Sequence, residues 1–190
     1  MLPLKKRPYR RNDYHFTKRL RNVEMLARTN RPEIKSITFV TSRLLSDNAV
    51  LNVPVTNILE GTGGNERLGD KVRLIRVEVR GTMDSKIDAH LLKCYSATLP
   101  SSANFTSGQG SFLLDSERDS RFQELTHYRS NYTVDQFTKF HIKRNLGFSA
   151  WFNGAAASTC QRNQVSVTLM NRSGAARNYD FSVRLWYSDA

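Results

Sequence analysis

From residue 34 onward the sequence alternates between apolar and polar residues, and this period-2 pattern constrains the fold more than any other feature. The alternating runs are rich in β-branched and aromatic residues and are separated by turn-forming clusters, which is typical of strands. Eight such runs without an internal repeat favour a β-sandwich or jelly roll over a propeller or solenoid. We therefore predict an all-β fold with eight strands at residues 34–45, 50–59, 70–83, 87–98, 121–134, 137–146, 164–171 and 179–187.

The run 70–83 is the clearest of the eight and contains an irregularity. Val72 and Leu74 alternate on one face, but the pattern slips by one residue at Ile75 before Val77 and Val79 resume it. Without a bulge, this slip would move the later apolar side chains to the opposite face, so it predicts a β-bulge at Ile75. Residues 99–120 are rich in Ser and Gly and too long for a hairpin turn, so we expect a surface loop there.

The positive charge is concentrated at the front of the chain. Of the net charge of +12, residues 1–35 carry +8, from eleven Lys or Arg against three acids, and the other 155 residues carry +4. Because a chain of 190 residues with this apolar content buries one good core, we predict a single β domain over residues 34–190 behind a basic arm over residues 1–33. A polycationic arm is the electrostatic footprint of a polyanion partner.

The arm is predicted to contain a short helix over residues 13–29. One narrow helical face carries the apolar residues Phe16, Leu20, Val23 and Ala27, and the proline at position 32 ends the helix. Residues 1–11 combine prolines with a charge block that cannot collapse onto a core. We expect the basic side chains of the arm to bind phosphates: Lys5, Lys6, Arg7, Arg10, Arg11, Lys18, Arg19, Arg21, Arg28 and Arg31. Three aromatic residues either stack on unpaired bases or anchor the helix: Tyr9, Tyr14 and Phe16.

No catalytic constellation is present in the sequence, so we do not expect an enzyme. The four histidines are scattered, and neither a GxSxG elbow nor an HExxH motif occurs. The glycines of residues 61–64 lack the GK[ST] ending of a phosphate loop and precede a strand, so a tight turn is the better interpretation. Cys94 and Cys160 fit no metal-ligand spacing and are interpreted as free thiols.

Residues 58–82 read ILEGTGGNERLGDKVRLIRVEVRGT. The segment contains a strand-end glycine, an N-[QE]-R-x-G turn at residues 65–69 and a following strand that closes with Arg80 and Gly81. In these features the chain resembles the coat proteins of satellite necrosis viruses and of circular Rep-encoding single-stranded DNA viruses. The basic arm and the aromatic strand at the end of the chain agree with this resemblance.

The resemblance implies a single jelly roll, sixty copies in the smallest icosahedral shell, and an arm that faces inward. Satellite coat proteins carry acidic residues directly after the strand-end glycine, near symmetry axes where calcium can bind, whereas this chain has Thr62 and Gly63 there. No cofactor is therefore expected. Asp189 and Glu33 are the candidates for a calcium ion between subunits, but surface acids near chain ends are usually solvated.

We expect a capsid protein of the virion that self-assembles into a T=1 icosahedral shell and packages single-stranded nucleic acid. Sixty arms would carry about 480 positive charges, which suits a genome of order ~10³ nucleotides, either RNA or DNA. Residues 5–11 also resemble a nuclear import signal, so assembly in the host nucleus and in the cytoplasm both stay open, as does the host receptor. No membrane insertion is expected. The alternative is a non-viral nucleic-acid-binding protein with a basic tail on a β-sandwich or barrel, and a jelly-roll enzyme or lectin is a third class.

Overall fold

The computed structural model describes residues 32–108, 111–114, 119–130 and 137–190. Within these residues the chain forms eleven strands and one 3-10 turn, Ser102–Asn104. No helix of the described part has the length and apolar character that a membrane span requires. The strands are β1 (Ile34–Leu45), β2 (Val50–Pro54), β3 (Lys71–Met83), β4 (Ile87–Cys94), β5 (Phe105–Gly108), β6 (Ser111–Leu114), β7 (Phe122–Arg129), β8 (Thr138–Phe152), β9 (Cys160–Arg162), β10 (Gln164–Asn171) and β11 (Arg177–Asp189).

The strands form two packed antiparallel sheets and a small ribbon. The first sheet has the order β1-β11-β3-β8-β9, the second has the order β2-β10-β4-β7, and β5 pairs with β6. Strands that are distant in sequence lie side by side, and the chain crosses repeatedly between the sheets, which is the arrangement of a jelly-roll sandwich. The all-β prediction is therefore confirmed. The division of the chain into an arm and a β domain stays a prediction, because residues 1–31 lie outside the described residues.

Strand ends were predicted with uneven accuracy. The bounds of β1 and β10 are those predicted, whereas β8 continues past residue 146 because Gly147 adopts a positive φ of 72° inside an irregular pairing and the strand then resumes. The prediction of a surface loop over residues 99–120 is wrong where β5 and β6 form strands that pair with each other. β9 was also missed. The last part of the run 121–134 lies outside the described residues.

The predicted bulge at Ile75 is confirmed. β3 pairs with β8 and with β11, and both registers pass from Leu74 to Arg76 without a partner for Ile75. As a result, Val72, Leu74, Val77 and Val79 all face the core and are fully buried. The bulge therefore keeps one apolar face on a strand whose sequence slips by one position.

The two sheets differ in how their outer sides are covered. Nearly every residue of β4 and β10 is buried, and on the outer side of the second sheet Leu92 of β4 and Met170 of β10 pack with Phe105 of β5 in a second apolar cluster. In β3 and β11, buried residues alternate with exposed or partly exposed ones. The outer side of the first sheet is thus the open face of the described sandwich.

The turn at residues 65–69 is built around a buried arginine. Arg67 is fully buried, and its guanidinium lies 4.3 Å from the ring centre of Phe152. It donates hydrogen bonds to the carbonyl oxygens of Ile58, Gly69 and Gly154. Gly69 has a φ of 77°, a conformation that glycine adopts at little cost. The side chain of Arg67 therefore joins this turn to the end of β8 and the loop that follows it.

Candidate nucleic-acid interface

The outer side of the first sheet gathers most of the exposed positive charge of the β domain. In antiparallel strands, directly paired residues share a face, so the registers identify the side chains that point outward. Eight of them are cations and two are acids, Glu78 and Asp180, which gives a net charge of +6. We call this surface the basic face; its cations are Lys71, Arg73, Arg76, Arg80, Lys139, Lys143, Arg162 and Arg184.

The basic face accounts for the entire net charge of the β domain. Residues 34–190 contain nineteen Lys or Arg and fourteen Asp or Glu, a net charge of +5. Because the face alone carries +6, the remainder of the domain has a net charge of −1. A domain that is nearly neutral on average therefore has one strongly positive side, and such a field attracts polyanions.

Strand β3 contributes four of the eight cations because polar residues alternate with its core residues. Lys71 and Arg73 precede the bulge, and Arg76 and Arg80 follow it. Without the bulge at Ile75, the first pair and the second pair would lie on opposite faces. The same irregularity that preserves the core therefore also collects the arginines on one side.

Trp186 lies at the centre of the basic face. The guanidinium of Arg76 is 4.0 Å from its ring centre, and that of Arg184 is 4.9 Å away, both within the range of a cation–π interaction. Arg184 also donates a hydrogen bond of 3.1 Å to Ser36 Oγ. The indole ring is partly buried, so its neighbours hold it in place while part of it contacts solvent.

A hollow beside Trp186 combines apolar walls with polar groups. Its volume is about 230 Å³, and it is lined by Ile34, Ile75, Arg76, Asn145 and Trp186. Ile34 is 63% exposed, so this wall is not closed by the described residues. Aromatic and apolar surfaces next to a guanidinium and an amide are the groups on which an unpaired base stacks and forms hydrogen bonds.

A wider, shallow depression of about 620 Å³ lies farther along the same face. Lys139, Arg80 and His141 contribute to its rim, and Val40, which is 74% exposed, forms an apolar part of it. Gly81 lies at its base, where β3 approaches β11 closely: a Cβ there would lie 2.7 Å from the Cα of Phe181. The glycine predicted to close the strand is therefore required by strand packing.

Glu78, one of the two acids of the face, is paired with Arg80 and His141. Its Oε1 accepts hydrogen bonds of 2.9 and 2.6 Å from Arg80 and lies 2.7 Å from Nε2 of His141. The hydrogen bonds from Arg80 and then from His141 lower the pKa of the Glu78 carboxyl below its ordinary value. Because the acid is paired locally, the surrounding lysines and arginines dominate the field of the face.

The ten residues predicted to bind nucleic acid all lie at positions 5–31, outside the described residues, so their role stays a prediction. Asp189, predicted to help hold calcium, accepts a hydrogen bond of 2.9 Å from the backbone N–H of Leu68 and lies 2.8 Å from Nζ of Lys35. Calcium binding by Asp189 and Glu33 likewise stays a prediction.

The basic face was missed by sequence reasoning. Part of the face could have been predicted from β3 alone, because its three arginines occupy the polar positions of the alternating pattern on either side of Ile75. Lys139 and Lys143 come more than fifty residues later, and their place beside β3 depends on the pairing of β3 with β8.

No family model matches this sequence, and no curated protein matches it. A search of solved structures matches a chain from the structure of infectious bursal disease virus Gx strain. The TM-score is 0.35 and the identity 9%, over 83% of this chain and 32% of that chain. The VP2 subviral particle of the same virus has a TM-score of 0.29 and 7% identity, covering 83% and 33%. The structure of the disulfide-linked pili of Bacillus endospore appendages has a TM-score of 0.31 and 8% identity, over 83% of this chain and 92% of that chain.

The chain spans about a third of the length of the bursal disease virus chains that it matches. Viral capsid proteins are thus among its structural neighbours, together with a pilus protein. TM-scores below 0.5 with identities below 10% do not establish a relationship between these chains and this one.

Proposed function

We propose that this protein is the coat protein of a small icosahedral virus, which packages a single-stranded genome with its arm and its basic face. The observation that carries the proposal is the separation of charge: the face has a net charge of +6, while the remainder of the β domain has −1. A shell subunit with its genome on one side needs this polarity, because only the genome side has phosphates to neutralise.

The arm and the basic face are joined through the chain itself. Residues 1–33 carry ten Lys or Arg and three acids, and they precede β1, an edge strand of the sheet that bears the basic face. Together they supply thirteen net positive charges per subunit. Sixty subunits would then carry about 780 charges, which matches a genome of order ~10³ nucleotides. The resemblance of residues 58–82 to satellite and circular single-stranded DNA virus coat proteins supports the copy number of sixty.

Nucleic-acid binding in this proposal is mostly independent of sequence. Lysines and arginines bind phosphates without reading bases, and binding releases counterions, so affinity falls steeply with salt. Trp186 adds a stacking surface that favours unpaired bases over a closed duplex. A single-stranded genome is therefore a better partner for this face than double-stranded nucleic acid.

A second candidate is a non-viral single-strand-binding protein that works without a shell. An open face with Trp186 between cations is the feature that favours it, because such proteins place aromatic residues and charge across the body of the domain. The two candidates share the binding chemistry and differ in assembly.

Size-exclusion chromatography and electron microscopy of the full-length chain at near-physiological salt separate the two candidates. We expect uniform closed particles that elute in the megadalton range and protect single-stranded nucleic acid from nuclease. Small dispersed protein that still binds oligonucleotides would contradict the coat-protein proposal and support the second candidate.

Fluorescence tests the contact at Trp186. The chain has two tryptophans, Trp151 and Trp186, so Trp151→Phe leaves Trp186 as the sole indole reporter. We expect its emission to be quenched when a single-stranded oligonucleotide binds, because a base stacks on the ring. Unchanged emission at saturating oligonucleotide would show that nucleic acid does not contact this part of the face.

A further inference from the structure

A cluster of ionisable side chains lies on the side of the sandwich opposite the basic face. Asp88 and His90 are two residues apart on β4, so both point to the outer side of the second sheet. His127 on β7 is paired directly with His90 and shares that side. The ribbon of β5 and β6 lies over this side, because the ring centre of Phe105 on β5 is 5.0 Å from that of His90.

The three side chains are close enough to bind one ion. Their nearest nitrogen and oxygen ligand atoms all lie within 4.8 Å of one another. Asp88 and His90 are fully buried, and His127 is partly buried. The two imidazole rings are stacked, with centres 4.3 Å apart and planes 9° from parallel.

Two buried ring nitrogens of this cluster have no hydrogen-bond partner among the described residues. Nδ1 of His90 lies 2.9 Å from the carboxylate of Glu124, so Nε2 is the ring nitrogen that remains to bind a ligand. Within the described residues, neither Nε2 of His90 nor Nε2 of His127 has a hydrogen-bond partner, although both atoms are buried. Buried polar atoms without a partner are costly, so two of them side by side call for a ligand.

We propose that Asp88, His90 and His127 form a binding site for a divalent transition metal ion of the zinc type. Two imidazole nitrogens and a carboxylate oxygen are a ligand set that Zn²⁺ takes in proteins, with water in the fourth position of the tetrahedron. The proposal is independent of the nucleic-acid function and concerns a different surface.

The surroundings of the cluster match those of a metal site. Ligating histidines usually donate their second ring N–H to a carboxylate, which is the role that Glu124 plays for His90. Asp88 Oδ2 lies 2.6 Å from the guanidinium of Arg172, which orients the carboxylate, and a carboxylate oxygen has lone pairs for more than one partner. The acids Asp88 and Glu124 thus face the imidazoles together with two arginines: Arg172, which is paired with Asp88, and Arg129, which lies opposite Asp88 in the register of β4 and β7.

Coordination requires a rotation of one imidazole. A metal ion lies in the plane of each imidazole that binds it, whereas stacked rings point their lone pairs side by side. His127 is the ring that turns, because it lies on the edge strand β7 and is only partly buried. The bound ion would then tie this edge strand to β4 beneath the ribbon.

Cobalt titration of the untagged, metal-free full-length chain tests the site. Co²⁺ is the probe because its visible absorption reports coordination number, and Zn²⁺ should displace it. We expect one Co²⁺ per chain with the spectrum of a four-coordinate site, and a rise of roughly 5 °C or more in the thermal midpoint at saturating Zn²⁺. Folded chain that binds no stoichiometric Co²⁺ would overturn the proposal.

Two variants and a matched control locate the ion. His127→Phe keeps an aromatic ring in the stack without ligand nitrogens, and Asp88→Asn keeps the shape of the carboxylate; each should weaken binding at least about tenfold. His141→Phe changes a histidine of the basic face and should bind as the unmodified chain does. Undiminished binding by His127→Phe, with a folded β spectrum, would refute the site.

X-ray absorption of the zinc-loaded, unmodified chain gives a test that no folding defect can obscure. We expect scattering from two imidazoles and light oxygen atoms, with no sulfur in the first shell. Sulfur scattering would assign the ion to Cys94 or Cys160 and overturn the proposal.

Discussion

Charge removal on the basic face should weaken nucleic-acid binding in a way that salt reveals. Lys139 and Lys143 are exposed on β8 and flank the arginines of β3. In the double variant Lys139→Gln/Lys143→Gln, the net charge of the face falls from +6 to +4. Both side chains are on the surface, so the free energy of unfolding should change by less than about 0.5 kcal/mol per substitution.

The size of the effect follows from counterion release. Each phosphate contact with a single strand contributes roughly 0.7 to the slope of log K against log salt concentration. Loss of two contacts should therefore make the slope shallower by about 1.4. At low salt, where the missing contacts matter most, affinity should fall the most, and the curves of the two proteins should converge as salt rises.

The assay is fluorescence anisotropy of a labelled single-stranded oligonucleotide with full-length protein over a range of NaCl concentrations. Protein concentrations are chosen so that sedimentation shows unassembled subunits. The matched control is Lys86→Gln/Arg121→Gln, which removes the same charge beside strands of the second sheet. We expect the control to keep the original slope.

Two results would refute the role of the basic face. The first is an unchanged slope in the β8 double variant, which would assign all binding to the arm. The second is an equal loss of slope in the control, which would show that binding follows net charge and not its location.

Three further predictions concern the arm, the thiols and the strand packing. Deletion of residues 1–11 removes five cations per subunit, or about 300 in a shell of sixty, so the 260 to 280 nm absorbance ratio of purified particles should fall. The thermal midpoint of the β domain should not change. Burial raises the pKa of the Cys94 thiol to about 12 and also raises that of Cys160, so neither should react with a thiol reagent at pH 8 until denaturant unfolds the chain; fast reaction of the native protein would contradict their burial. Gly81→Ala forces a Cβ against the backbone of Phe181 and should cost roughly 1–3 kcal/mol in urea unfolding, whereas Gly64→Ala, where the new Cβ meets nothing within 4 Å, serves as the control.

Local pattern was sufficient to predict most strands and the bulge. β1 and β10 were predicted with both ends because turn-forming residues bound their alternating runs. The bulge at Ile75 was visible because a strand has a strict period of two, so a slip of one residue leaves a trace in the sequence. The ribbon of β5 and β6 left no such trace, since four-residue strands in a Ser- and Gly-rich segment carry little alternation.

Long-range pairing limited what the sequence revealed about the sites. The basic face combines cations from β3, β8, β9 and β11, and their common side follows from strand order and register. The same holds for the cluster of the second sheet. Asp88 and His90 are two positions apart and visibly share a face, but His127 joins them only through the pairing of β4 with β7. The four histidines therefore looked scattered in the sequence although two of them are stacked.

Within residues 58–82, the turn at residues 65–69 stabilises the fold, whereas the cations of β3 belong to the basic face. Arg67, at the centre of the 65–69 turn, is fully buried. Its guanidinium donates hydrogen bonds to backbone carbonyls and stacks on Phe152, so it is not accessible to a phosphate. Removal of such a buried charge-bearing group disrupts its partners and destabilises the domain. Variants of this turn should therefore be compared by stability, and variants of the arm and basic face by binding. In the proposed coat protein, the turn would hold the strands together while the basic face contacts the polyanion.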